Sequence, residues 1–437
     1  MNVLPTKARC ILQRFISDSL LRNSAFIMAT TVVTGGLGFV YWTVAARTLA
    51  PHEVGLASAL ISAMVLTSEI ANLGLDVTLV QVLPRQAPGQ DWSAALNGVL
   101  ATGVLAGFVS AVIVTFVLPE LIPEFEPLRS RLLFGLSFVL GVPLTTTGRL
   151  LDAVFTAERS TVNRFLRNTV FAVIKIPPVL LGPLVAHGSG TAVVFSTWVL
   201  ATLVTVVLSL PLVRRLGRGY VFVMRGAVHE FYALWSLTVA NHFTNLGGRL
   251  PMYLLPIFVT ARRSPEDNAY FFTTWTLGSL FFLVSPAVAT SLLAEGIHQP
   301  GQLRGKVRRS AIVISVLLIP MMVVCLVGGR LILSIFGQDY ARAGYGLFAL
   351  LVLSAVPDAV TSLYVSIRRV ERRVREVALL NLSMSGISLM VGWLMLPAMG
   401  IAACGLAWLL AQSAGSCYVL SRWIGAAQTS RQQRRGD

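Results

Sequence analysis

Long apolar blocks alternate with short polar ones along this chain. Blocks at residues 24–46, 54–82, 95–118, 132–155, 169–186, 191–213, 232–259, 269–294, 310–333, 345–367, 378–397 and 401–422 are each long enough, as helix, to cross a hydrocarbon layer roughly 30 Å thick. Helix is the expected element throughout. Membrane-spanning strands would show alternation over about ten residues, and backbone inside a bilayer must satisfy its own hydrogen bonds. No connection between blocks exceeds about 20 residues, which leaves no room for a soluble catalytic domain. The pattern predicts an all-α polytopic membrane protein of about 12 transmembrane helices.

The polar punctuation recurs near the chain's midpoint. Pro51 returns as Pro265, Pro88-Gly89-Gln90 as Pro300-Gly301-Gln302, and Pro143 as Pro357. Glu158-Arg159 with Asn168 returns as Glu371-Arg372 with Asn381. These matches keep their order at offsets of 212 to 214 in a chain of 437, the mark of a duplication. Six blocks per copy is an even number, so both copies enter the membrane the same way up and are related by an axis along its normal. That is a transporter's plan. The expected division is an interfacial amphipathic segment at 1–23, six-helix bundles at 24–213 and 214–423, and a basic tail at 424–437.

Composition sharpens this reading. With 55% apolar residues, 12% charged residues and a mean hydropathy of +0.74, the chain cannot be wrapped into a water-soluble globule. When the twelve blocks are laid end to end, 24 of the 35 Lys and Arg fall at the two termini and in the loops on their side, which makes that side cytoplasmic. A cytoplasmic membrane with both termini inside is the expected location. The net charge of +16 is then a topology signal plus attraction to anionic membrane lipids, and no nucleic-acid partner is expected. Arg368, Arg369, Arg372, Arg373 and Arg375 form a short loop between spans ten and eleven rather than an RNA-binding patch. Ile11, Leu12, Phe15, Ile16 and Leu20 repeat at helical spacing among Lys7, Arg9, Arg14 and Arg22, which predicts that residues 5–22 lie along the cytoplasmic leaflet.

Enzyme chemistry finds little support. Gly301-Gln-Leu-Arg-Gly305-Lys306-Val307 is one residue short of a phosphate-binding loop and lacks the hydroxyl that would hold magnesium. Cys10, Cys325, Cys404 and Cys417 form no spaced pair, and the five histidines are dispersed. No cofactor, metal or catalytic residue is expected.

Ionisable residues inside the blocks carry the remaining information, because a charge at the bilayer centre costs about 2.5–3.5 kcal/mol on insertion scales. Arg330 is placed to snorkel from the outer end of span nine, and Lys175 is expected to do the same in span five, just before Pro177-Pro178 opens the helix. Arg149 and Asp152, three apart, have the spacing of a local ion pair. Glu69, Asn72 and Asp76 share one helix face in span two, and Asp358 lies near mid-depth in span ten. In span seven Asn241, Asn245 and Arg249 share a face with His242 beside it, and Gly247, Gly248, Pro251 and Pro256 are able to unwind the helix around them. A deep arginine over a polar stripe suits an anionic headgroup, since guanidinium donates paired hydrogen bonds to phosphate oxygens. The same residues also suit a salt bridge from Arg249 to Glu69 or Asp358 that locks or gates the two halves. Glu69, Asn72, Asp76 and Asp358 are the candidates for gating or proton coupling.

Arg47-Thr-Leu-Ala-Pro51-His-Glu53-Val-Gly55-Leu-Ala-Ser58, Asn72-Leu-Gly74-Leu-Asp76 and Ile335-Phe336-Gly337-Gln-Asp339-Tyr340 resemble the Wzx-like oligosaccharide flippases of the MATE and MurJ superfamily, over nearly the whole chain. The resemblance implies a V-shaped bundle working by alternating access, with a central cationic cavity lined by spans one, two, seven and eight. It implies a polyprenyl-diphosphate-linked oligosaccharide as cargo, turned from inner to outer leaflet for polysaccharide biosynthesis and export. Polymerase and glycosyltransferase machinery are the implied partners. Such cavities use arginines, and Arg249 with Arg47 at the mouth of span one fit that role. Two departures matter. The two further spans of lipid II flippases are absent, and residues 24–46 hold no acid where cation-coupled drug exporters use one. A multidrug exporter of the same superfamily is the alternative. A membrane-embedded glycan polymerase or ligase is a more distant one, its outer loop at 119–131 being small despite Glu120, Glu124 and Glu126.

Overall fold

The computed structural model describes residues 19–185, 189–223, 227–286, 288–289, 303–371 and 373–436. Most of the expected interfacial segment at 5–22 lies outside them. Helix dominates. The principal elements are α1 (Ser19–Thr48), α2 (Pro51–Ala71), α3 (Leu75–Val82), α4 (Gln90–Leu121), α5 (Leu132–Ala157), α6 (Thr161–Ile174), α7 (Ile176–Val185) and α8 (Gly190–Arg214). They continue as α9 (Ala227–Arg262), α10 (Pro265–Gly278), α11 (Leu303–Leu333), α12 (Gln338–Val370), α13 (Val374–Met399) and α14 (Ala402–Gly436). Among the described residues, ten stretches are long and apolar enough to cross a membrane, with α6 and α7 together forming one of them. The two remaining expected spans correspond to α9 and α10. Polar side chains such as His242 and Arg249 dilute the hydropathy of α9, and α10, at 14 residues, is shorter than a span.

Two departures from regular spans have local causes. Span two breaks between α2 and α3, where Leu73 and Gly74 take left-handed conformations at φ 50 and 82. Gly74 lacks the Cβ that opposes this geometry, so Asn72-Leu73-Gly74 reads as a helix stop and restart. Asp76 consequently sits in a different helix from Glu69, and the single face expected for Glu69, Asn72 and Asp76 is interrupted. Span five breaks at Lys175, between α6 and α7, as Pro177-Pro178 predicts. By contrast α9 runs unbroken through Pro251 and Pro256. The expected unwinding around Arg249 does not occur.

The chain divides into two compact units, residues 1–48 with 64–243 and residues 49–63 with 244–437. In the first, α4 packs on α5, α5 on α8, and α1 on α6 and α7. One core of this unit gathers Leu75, Leu79, Trp92, Leu150, Val154 and Phe155, all at 2% exposure or less. The segment after α8 runs back along the start of α4. Val221 donates its backbone N–H to Ser93 Oγ (3.0 Å), Asn97 Nδ2 donates to the Val223 carbonyl (3.0 Å), and Arg218 donates to Glu158 (2.7 Å). Trp92 Nε1 donates to the other Glu158 oxygen at 2.9 Å.

In the second unit α14 packs on both α12 and α13, and α12 also meets α10 and α11. The first turns of α2 join this unit through a very close crossing. A Cβ on Gly55 would lie 1.5 Å from the Pro265 carbonyl oxygen, so only glycine fits. Buried Asn268 donates to the Gly55 carbonyl at 2.8 Å and to Ser58 Oγ at 3.0 Å. Gly55 and Asn268 stand 213 residues apart, the repeat offset. Small residues at such crossings let backbones approach and gain dispersion contact, which is what holds helices together in lipid. Elsewhere apolar side chains point outward: Ile312, Val316, Ile319, Val323 and Val327 on α11 are 54–85% exposed, a helical stripe facing acyl chains.

Candidate functional site

Among the described residues, polar side chains inside the spans gather into a cluster within each unit. In the first unit Glu69, 4% exposed on α2, accepts an ion pair from Arg149 Nη2 of α5 at 2.5 Å. One turn away Ser68 and Thr146 share a hydrogen bond of 3.0 Å. Asp152, three residues after Arg149, pairs instead with α6. Arg167 donates to it from Nε and Nη2 (2.9 and 2.7 Å), and Asn168 Nδ2 donates at 3.0 Å. The local Arg149 to Asp152 pair expected from spacing is thus replaced by two interhelical ones, of which Arg167 to Asp152 is bidentate. Gly148 makes the room: a Cβ there would stand 2.9 Å from Arg167 Nη1.

His242 on α9 is half-buried and lies within electrostatic reach of Glu69 and Asp76, so three of the residues singled out from sequence share one neighbourhood. Asp76 is half-buried, with one carboxylate oxygen accepting the Val77 N–H at 2.8 Å. Asn72 is buried at the helix stop, and its side-chain oxygen has no hydrogen bond among the described residues. Arg47 ends α1 and is exposed.

Lys175 does not reach water. It is 4% exposed, and its Nζ lies 3.6, 4.3 and 4.8 Å from the ring centroids of Trp198, Phe171 and Tyr41. Ring faces substitute for water around the ammonium. Arg330, by contrast, is exposed at the end of α11 with its guanidinium 5.1 Å from the Tyr345 ring.

In the second unit the polar residues surround a space. Asp358, 8% exposed on α12, lines a cavity of about 270 Å³ with Thr361, Ser362, Asn381, Trp408 and Gln412. Ser362 Oγ faces the carboxylate at 3.5 Å, Thr361 donates to Gln412 at 3.1 Å, and Ser416 donates to the Pro357 carbonyl at 2.7 Å. The indole Nε1 of Trp408 makes no hydrogen bond among the described residues. Gly248 of α9 forms part of the wall, and Ser385 Oγ donates to the neighbouring Gly247 carbonyl. The glycine pair therefore brings α9 against α13 rather than opening it. Arg249 follows directly and is exposed. The side chains of Asn241 and Asn245 lie outside the described residues.

Sequence reasoning missed the Asp152, Arg167 and Asn168 group and the hydroxyls around Asp358. A signal for both existed in the duplication. Asn168 and Asn381 are repeat counterparts, and each belongs to its unit's polar cluster.

Scanned as a sequence, the chain matches no family model and no curated protein. Solved structures do match. Lipid II flippase MurJ in an inward closed conformation superposes with a TM-score of 0.74 at 13% identity, covering 92% of this chain and 87% of that one. An inward-facing multidrug resistance MATE family transporter of the MOP superfamily gives 0.66 at 13% identity over 95% and 100% of the two chains. A eukaryotic MATE transporter gives 0.58 at 14% identity over 93% and 96%. With its all-helical spans, this chain has the fold of the MurJ and MATE transporters.

Proposed function

We propose that the protein is a transporter of the MOP superfamily, of the Wzx-like kind, which flips polyprenyl-diphosphate-linked oligosaccharides from the inner to the outer leaflet of the cytoplasmic membrane for polysaccharide biosynthesis. The observation that carries this reading is a fold shared, over about nine-tenths of both chains, with a protein described as a lipid II flippase. The sequence motifs shared with oligosaccharide flippases support the same cargo class.

In this reading Arg249 takes the diphosphate, helped by Asn241, Asn245, His242 and, at the mouth, Arg47, while the prenyl chain stays in lipid. A guanidinium suits this because it presents parallel N–H donors to phosphate oxygens and stays charged at every working pH. The termini are cytoplasmic, and the two halves alternate in access. Moving two net negative charges outward against an inside-negative potential gains roughly 4.6 kcal/mol per 100 mV, so no nucleotide is required. Asp358, in its hydroxyl-lined cavity, and the Glu69, Asn72 and Asp76 group are the positions for gating or ion coupling.

Arg249→Ala is expected to abolish transport while leaving membrane insertion intact. The measurement is mass spectrometry of polyprenyl-linked oligosaccharides in cells carrying either form: the mutant should accumulate complete lipid-linked repeat units and lose surface polymer. Unchanged lipid-linked sugars with a shift in drug tolerance alone would establish the second reading, a cation-coupled multidrug exporter. The acid and the Trp408 indole that line the second unit's cavity favour that alternative.

A further inference from the structure

A second hollow in the C-terminal unit opens on its lipid-facing side. Between α13 and α14 lies a groove of about 350 Å³ that starts at Glu376 and ends at Ile387. Its lips are Leu379 and Tyr418, 65% and 47% exposed, and its floor is made by Leu380, Met384 and Gly415. The groove exists because α14 contributes Ala414 and Gly415 where larger side chains would fill it. Eleven residues of helix rise about 16 Å, half of a hydrocarbon layer and therefore the depth of a single leaflet.

The mouth of the groove is basic. Residues 368–376 hold five arginines and two glutamates. Both acids are already engaged. Glu371 pairs with Arg368, and Glu376, which lines the mouth, pairs with Arg368 at 3.2 Å and Arg373 at 3.1 Å. The carboxylate at the entrance is thereby neutralised. Arg375 is exposed, and no ion pair engages it among the described residues. An apolar groove one leaflet deep beneath an unspent guanidinium matches the two ends of one molecule.

We infer that the α13–α14 groove is a binding site for an anionic glycerophospholipid of the leaflet on the basic side, one acyl chain lying between Leu379 and Tyr418 and the headgroup phosphate held by Arg375. The single-leaflet depth favours an acyl chain over the longer prenyl chain of a cargo. Met384 gives the site a consequence, because it lines both this groove and the Asp358 cavity. A seated chain presses Met384 against Gly415 and seals the polar cavity from lipid. The inference depends on the membrane-spanning fold and not on the cargo, so it stands or falls separately from the flippase reading.

The test is native mass spectrometry of the full-length protein in detergent, titrated with phosphatidylglycerol or with phosphatidylcholine of the same acyl chains. Wild type should retain one phosphatidylglycerol where phosphatidylcholine is lost. Ala414→Phe, which fills the groove from its exposed side, should weaken that retention about tenfold or more. Arg375→Gln should weaken phosphatidylglycerol about fivefold and leave phosphatidylcholine unchanged. Ser383→Leu is the second filling variant, and gel filtration checks that each elutes as wild type. Equal retention of the two lipids, or wild-type retention by both filling variants, overturns the site. One-for-one displacement of phosphatidylglycerol by a polyprenyl phosphate overturns the phospholipid assignment and gives the groove to the cargo's tail.

Discussion

The two units treat buried polarity in opposite ways. In the N-terminal unit three acids inside or beside the helical core each meet a guanidinium: Glu69 holds Arg149, Asp152 holds Arg167, and Glu158 holds Arg218. In the C-terminal unit Asp358 meets only hydroxyl and amide neighbours among the described residues, around open space. The repeats that place Asn168 beside Asp152 also place Asn381 on the wall of the Asp358 cavity. Charge pairing joins the first unit's polar cluster, whereas the second unit's cluster lines a cavity. A paired buried charge resists rearrangement, whereas a lone acid in a polar cavity can change protonation or take up a cation.

The comparison breaks most visibly at Asp152. Asp152→Ala leaves Arg167 buried without its bidentate partner and should cost about 3–5 kcal/mol, read as a large fall in thermal midpoint in detergent. Glu69→Ala and Arg149→Ala come next: the double mutant should be less destabilised than the sum of the singles, with a coupling of about 0.5–3 kcal/mol from a double-mutant cycle. Asp358→Asn should move stability by under about 1 kcal/mol, since no ion pair among the described residues is lost. A midpoint drop as large as that of Asp152→Ala would erase the distinction between the units. The smallest effect is expected for Thr361→Val, which removes one interhelical hydrogen bond to Gln412, worth about 0.6 kcal/mol in membrane proteins.

Part of the site was legible before any coordinates. The polar stripes of spans two, seven and ten stand out because charge inside an apolar block is costly and therefore informative. His242 lies within electrostatic reach of Glu69 and Asp76, a grouping that no single-helix spacing indicates, and Asp76 sits in a separate helix from Glu69. The choice of partners was not legible. Arg149 has Asp152 three residues away in sequence and takes Glu69 from another helix, and Lys175 takes three aromatic rings instead of water. Local spacing says which groups can meet on one helix. It says nothing of the better geometry a neighbouring helix offers.

The sequence alone therefore determined the solvent and the element type, since bilayer thickness and the need to satisfy backbone hydrogen bonds allow few other readings of such apolar blocks. Only the tertiary structure decided which acids are locked and which face a cavity, that Gly247-Gly248 seats α9 on α13 instead of breaking it, and that Gly55 admits the Pro265 carbonyl. These outcomes turn on the approach distance between helices. That distance is set by small residues on two elements at once, and no one-dimensional pattern records the pairing.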